Sequence, residues 1–148
     1  MTFPFLEENE TSRRRLESFV RGLTDEQLTR PTPYGGTVAA LLAHLAFWER
    51  RVLVLLRRWK EQGVDESPVD PDMINDALTP FLTALDPRVA VELCLNSAAA
   101  VDAELATLTP ELVAEIEAAP VFFRLNRSLH RDGHLKDLEA ILHSLTNG

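Results

Sequence analysis

The sequence predicts an all-α fold, a bundle of four long helices joined by loops and short helical turns. Three observations carry this. Apolar residues recur at spacings of three and four in four separate segments. Capping residues stand before prolines or before the apolar runs, in Asp70-Pro71, Asp86-Pro87 and Thr109-Pro110. No segment sustains the period-two alternation of a half-buried strand.

The first helix is expected over residues 4–22, with Phe5, Asn9, Arg13, Leu16, Phe19 or Val20, and Leu23 on one stripe. That stripe is apolar at both ends and polar in the middle, at Asn9 and Arg13. Thr24 and Gln27 form a capping box that starts a short helical turn. Residues 30–36 hold two prolines and two glycines and read as a loop.

Thr37 can cap the second long helix, which runs to about Gln62. Its stripe is Val38, Leu41, Leu42, Leu45, Trp48, Val52, Leu56 and Trp59. His44 lies at the edge of this stripe and Glu49 inside it, and a buried carboxylate needs a partner. Asp70-Pro71 opens a short helix that Pro80 limits or kinks. Asp86-Pro87 opens the third long helix, about 87–108, with Ala90, Cys94, Ala98, Val101, Leu105 and Leu108 inward. Thr109-Pro110 opens a brief helix ending near Pro120. The fourth long helix is expected over 122–145. Its apolar stripe of Leu138, Ile141, Leu142 and Leu145 continues backward into His134, Arg131, His130 and Arg127. An inward face that turns from leucine to histidine and arginine implies a polar or metal site at one end of the bundle.

The length of 148 residues fits one domain with a sizeable core. No apolar run approaches the roughly 20 residues that span a membrane. There is no basic segment followed by an apolar one of the kind that directs secretion. One cysteine, Cys94, excludes an internal disulfide and fits a reducing cytoplasm. Its place in an apolar stripe makes it a core residue rather than a nucleophile. The net charge of −8 argues against a nucleic-acid surface. The clusters Arg13-Arg14-Arg15, Arg50-Arg51 and Arg57-Arg58 read as solvated helix faces.

His130 and His134 are four apart, so a helix places both imidazoles on one face. That spacing suits two ligands of one ion, and His44 can supply a third. Three imidazoles with an open position is the pattern of a catalytic metal site. Imidazole donors suit zinc, nickel, copper or iron. His143 points away from this face. If Glu49 faces inward it pairs with Arg127 or Arg131, or it orients a ligand imidazole or acts as a base. Asp137 is a weaker partner for His134. Trp48 and Trp59 read as core anchors, with Trp48 close enough to His44 to line a pocket. No Walker loop, dinucleotide fingerprint, H-E-x-x-H or G-x-S-x-G motif occurs.

At TVAALLAHLAFWERRVL, at Met73-Ile74-Asn75 and at LHRDGHLKDLEAIL the chain resembles the DinB/YfiT-like superfamily. That group includes the N-terminal domain of mycothiol-dependent maleylpyruvate isomerase and the bacillithiol transferases. The resemblance implies an up-down four-helix bundle. It also implies a metal triad of His44, His130 and His134, holding a divalent ion, zinc or nickel first. Similar proteins transfer low-molecular-weight thiols to electrophiles, or isomerise or hydrolyse reactive compounds. A small-molecule substrate, a thiol cofactor and a homodimer follow on that analogy, with Glu49, Arg127 and Arg131 positioning substrate or ligands. Asn9 and Arg13 would join them. The competing expectation is a helical module without catalysis, one that sequesters metal or pairs with itself.

Overall fold

The computed structural model describes residues 2–121 and 123–146, the side chains of 144–146 excepted. Among the described residues seven helices follow one another: α1 Pro4–Arg21, α2 Asp25–Leu28, α3 Val38–Gln62, α4 Pro71–Thr83, α5 Pro87–Leu105, α6 Pro110–Ala118 and α7 Ser128–Thr146. No strand occurs among the described residues, and the sole pairing of that kind is the isolated bridge Pro31–Thr37.

The helix starts follow the capping residues. Thr37 accepts from the Ala40 N–H, Asp70 from Met73, Asp86 from Arg88 and Thr109 from Leu112. Both arms of the Thr24–Gln27 capping box are made. Such a cap is worth about 1 kcal/mol. Pro80 does not end α4, which continues to Thr83.

Two expected boundaries change. The third long helix stops at Leu105, because the Thr107 and Leu108 N–H groups turn back three residues, to Glu104 and Leu105. The last one starts at Ser128, not near residue 122. Pro120 interrupts the chain, and the Asn126 side chain accepts from the Ser128 N–H (3.0 Å), a turn that competes with helix. Arg127 therefore stands just before α7. Leu145, expected on the inner stripe, lies outside the described side chains.

α3 is the central element and contacts α5, α4, α2 and α7; α1 packs on α7 and α5. The core has two parts. One gathers Leu16, Val20, Leu42, Leu45, Cys94 and Leu138; the other gathers Leu53, Leu56, Trp59, Val101, Leu105 and Ile116. Buried polar residues that belong to neither part include Asn9, Glu49, Arg127 and Arg131. Cys94 is fully buried, and burial pushes its thiol up to about 12, so it is a packing residue. No described helix is long and apolar enough to cross a membrane.

The loop before α3 closes over one side of the site. Its glycines take positive φ, 88° at Gly35 and 71° at Gly36. A Cβ on Gly36 would stand 2.9 Å from the Thr83 hydroxyl. Only glycine lets this loop lie so close to α4.

Candidate metal centre

α3 and α7 bring the three expected histidines together. The His44 and His134 ring centroids are 5.1 Å apart, and those of His130 and His134 are 4.7 Å apart. Two imidazoles on one tetrahedral ion, with Zn–N near 2.0–2.1 Å, have centroids roughly 5 Å apart. The ring spacing therefore fits a shared ion. His130 Nε2 and His134 Nδ1 are buried without a hydrogen-bond partner. Buried polar atoms are nearly always satisfied, so two orphaned imidazole nitrogens side by side mark a place for a further group. The convergence is one of rings. Among the described residues, no group of three or more His, Cys, Asp or Glu side chains is placed so that it could hold a metal ion as it stands.

The electrostatics keep these rings neutral. Burial lowers His44 to about 4, helped by His134. Burial lowers His130 to about 3, with Arg127, His134, His44 and Arg131 adding to the effect. His134 is lowered by burial and by Arg127, against the pull of Asp137 and Glu49. Neutral imidazole is the form that donates to a metal.

A consequence for stability follows in the metal-free protein. In the unfolded chain the three rings titrate near 6.5, so below that pH the unfolded state binds more protons than the folded state. Their contribution is fully present above about pH 6.5 and is lost as pH falls toward 4 and 3. Urea unfolding followed between pH 7 and 5, above the carboxylate range, should show a midpoint that falls with pH. A variant with all three histidines replaced by glutamine should show a flatter profile, and equal slopes would refute the assignment.

Behind the imidazoles lies a buried ionic network. The Glu49 carboxylate is fully buried and accepts from Arg127 (Nε 3.2 Å, Nη2 3.1 Å) and from Arg131 (Nη2 3.1 Å). Sequence reasoning expected one arginine or the other; both are used. Arg131 also donates to Asp102 (2.7 and 3.1 Å) and to the carbonyls of Asn9 and Ala98. Asp102 in turn holds Arg13 (2.9 Å), which reaches Glu17 (2.8 Å). Burial works against the charge on Arg131, but Glu49 and Asp102 more than offset it and raise its pKa.

Asn9 ties the network to the start of α7. Its amide donates to the Leu125 carbonyl (2.9 Å), and its oxygen accepts from the N–H groups of Arg127 (2.6 Å) and Ser128 (3.1 Å). Those bonds fix where α7 begins, and hence where His130 and His134 point.

Two cavities adjoin the imidazoles. One of about 260 Å³ is lined by His44 and His134 with Asn75, Asp76, Thr79 and Asp137, under Tyr34 and Gly35. The other, about 170 Å³, is lined by His44 and His130 with Trp48, Arg51, Phe123 and Arg127. Asn75 borders both, and its Oδ1 accepts from the Trp48 indole (2.9 Å). Of the expected site residues, Arg127 reaches a cavity wall. Glu49 and Arg131 lie behind it, and His143 is exposed, as expected. Trp59 is a core anchor and Trp48 is both anchor and wall.

Three residues were missed: Arg51, Asp102 and Asn75. Arg51 was read as solvated but is half-buried at the second cavity, seven positions after His44 and so on its face. Arg13, expected on the inner stripe beside Asn9 although also grouped with Arg14 and Arg15, is half-buried in the network, while Arg14 and Arg15 are exposed. Asp102 follows Ala98 by one turn, so an acid on an inner stripe was visible, but its partners were not. Asn75 carried no signal beyond its place in the resemblance.

No match is found among curated proteins or among solved structures. The sequence model of the DinB superfamily matches residues 8–131, most of the chain. The match includes His44 and His130 and ends just short of His134. With an all-helical fold and that match, the chain belongs to the DinB superfamily.

Proposed function

We propose that the protein is a metal-dependent enzyme acting on a small molecule, with His44, His130 and His134 as ligands of one divalent ion, zinc or nickel. The observation that carries this is the meeting of three neutral imidazoles at the wall shared by two cavities, two of them with orphaned buried nitrogens. Bound there, the ion would lower the pKa of a thiol or a water and so make a nucleophile at neutral pH. The reaction class is thiol S-transfer, isomerisation or hydrolysis, with a low-molecular-weight thiol as the co-substrate in the first case.

The chain's own residues divide the remaining work. Arg127 holds its charge against Glu49 at the cavity wall, and Arg131 and Glu49 fix the framework behind it. Asn9 sets the start of α7. Asp137, one turn after His134, favours the proton on that ring. The reading includes an up-down bundle of α1, α3, α5 and α7 as one domain over residues 1–148. It also includes a cytoplasmic setting, no nucleic-acid partner and a homodimer.

Elemental analysis of tag-free protein tests it. About one ion per chain is expected, lost in both His44→Ala and His130→Ala while helicity is kept. No ion after reconstitution would sink the reading and leave a non-catalytic interaction module as the better account.

A further inference from the structure

The second cavity has an uneven charge. Around the site Arg13, Arg127 and Arg131 are matched by Glu17, Glu49 and Asp102, linked in one chain of ion pairs. Arg51 stands outside that balance. It forms no ion pair among the described residues. Its Nη2 donates to the Ser67 carbonyl (2.8 Å) and hydroxyl (2.9 Å), two neutral acceptors that fix the guanidinium, while Nε and Nη1 have no acceptor among the described residues. Burial without a compensating acid pushes its pKa down. A half-buried cation held in place beside a cavity, with donors to spare, lacks an anion.

The other walls say what the anion is attached to. Trp48, Phe123, Val52 and Pro71 line the same cavity. The Trp48 indole N–H is donated to Asn75. A hydrated inorganic ion would gain nothing from these walls, whereas a flat organic acid would use both them and the guanidinium.

We propose that this cavity is a subsite for a small organic acid, a carboxylate on a flat apolar body, and that Arg51 binds the carboxylate. The proposal rests on the reading of the imidazoles as the reacting centre, since His44 and His130 close the inner end of this cavity. The flat body would lie between the carboxylate and the histidines, which places the reacting atom of the substrate at the end remote from its charge.

Benzoate and its neutral counterpart benzamide are the probes. Each is titrated through the millimolar range into the full-length chain, with EDTA and again with zinc, following the Trp48 indole N–H by NMR. Benzoate should give a saturable shift, weakened at least about tenfold in Arg51→Gln, because a charge-assisted hydrogen bond is lost. Benzamide should bind at least about tenfold more weakly than benzoate to the native chain. Arg58→Gln, which removes an exposed cation of the same helix, should bind benzoate as the native chain does, which excludes a net-charge effect. Equal binding of benzoate and benzamide, or benzoate binding unchanged in Arg51→Gln, would overturn the subsite. The zinc arm separates the two readings. Arg51-dependent binding in a chain that takes up no zinc sinks the metal reading alone. Zinc uptake without Arg51-dependent binding sinks the subsite alone.

Discussion

Replacing Glu49 with alanine should destabilise the protein by about 3–5 kcal/mol, the cost of leaving buried charges unpaired. Both oxygens of this fully buried carboxylate are taken by guanidinium N–H groups, so the substitution strands Arg127 entirely and Arg131 in part. For a chain of this size that is a fall in Tm of roughly 10–15 °C. Arg131 keeps Asp102, which makes Arg127 the more exposed to the loss. A Glu49→Leu, Arg127→Met pair should recover most of the stability, since an ion pair replaced by apolar groups of similar volume is often neutral. Urea unfolding of the singles and the double gives the coupling directly. A loss under about 1 kcal/mol in Glu49→Ala would mean that the network is solvated and adds little.

Asn9→Ala should cost about 2–4 kcal/mol, through hydrogen bonds and not through volume. It orphans the Leu125 carbonyl and the Arg127 N–H; the Ser128 N–H keeps the Asn126 side chain. Asn9→Asp retains the acceptor for Arg127 but sets a buried carboxylate oxygen against the Leu125 carbonyl, so it should not restore the native stability. Amide exchange should localise the effect, with faster exchange at residues 127–131 than in the body of α3. Uniform acceleration would argue instead that Asn9 only fills space.

The helices were legible because their signals are local. A cap and a proline need three residues, and an apolar stripe needs a dozen, so α1, α3 and α5 could be placed from the chain alone. The three histidines were legible for the same reason: an i, i+4 pair and a ring at a stripe edge are short-range patterns. That Glu49 needs a partner could be deduced from its position. The inner face of α7 offered Arg127 or Arg131; that both are used could not be deduced, because they lie about eighty residues away and no period connects α3 to α7. Arg51 failed differently. It adjoins Arg50, and a pair of like charges reads as a wet surface, although seven positions from His44 is the same helix face. The start of α7 was placed too early because Asn126 and Asn9 override a segment whose residues tolerate helix.

The Asn9 bonds join residues 116 to 119 positions apart. This gives the site a place in time as well as in space. Local helices form in about a microsecond, but a contact of that separation waits for nearly the whole chain to be collected. During synthesis α1, α3 and α5 are available to one another long before residues 125–134 exist. Until then the Glu49 carboxylate, buried later, has neither of its arginines. The half-built fold must keep that charge in water. The arrival of α7 thus brings the arginines, the clamp on Asn9 and two of the three imidazoles in a single docking event, so folding of the last helix and assembly of the site are the same step.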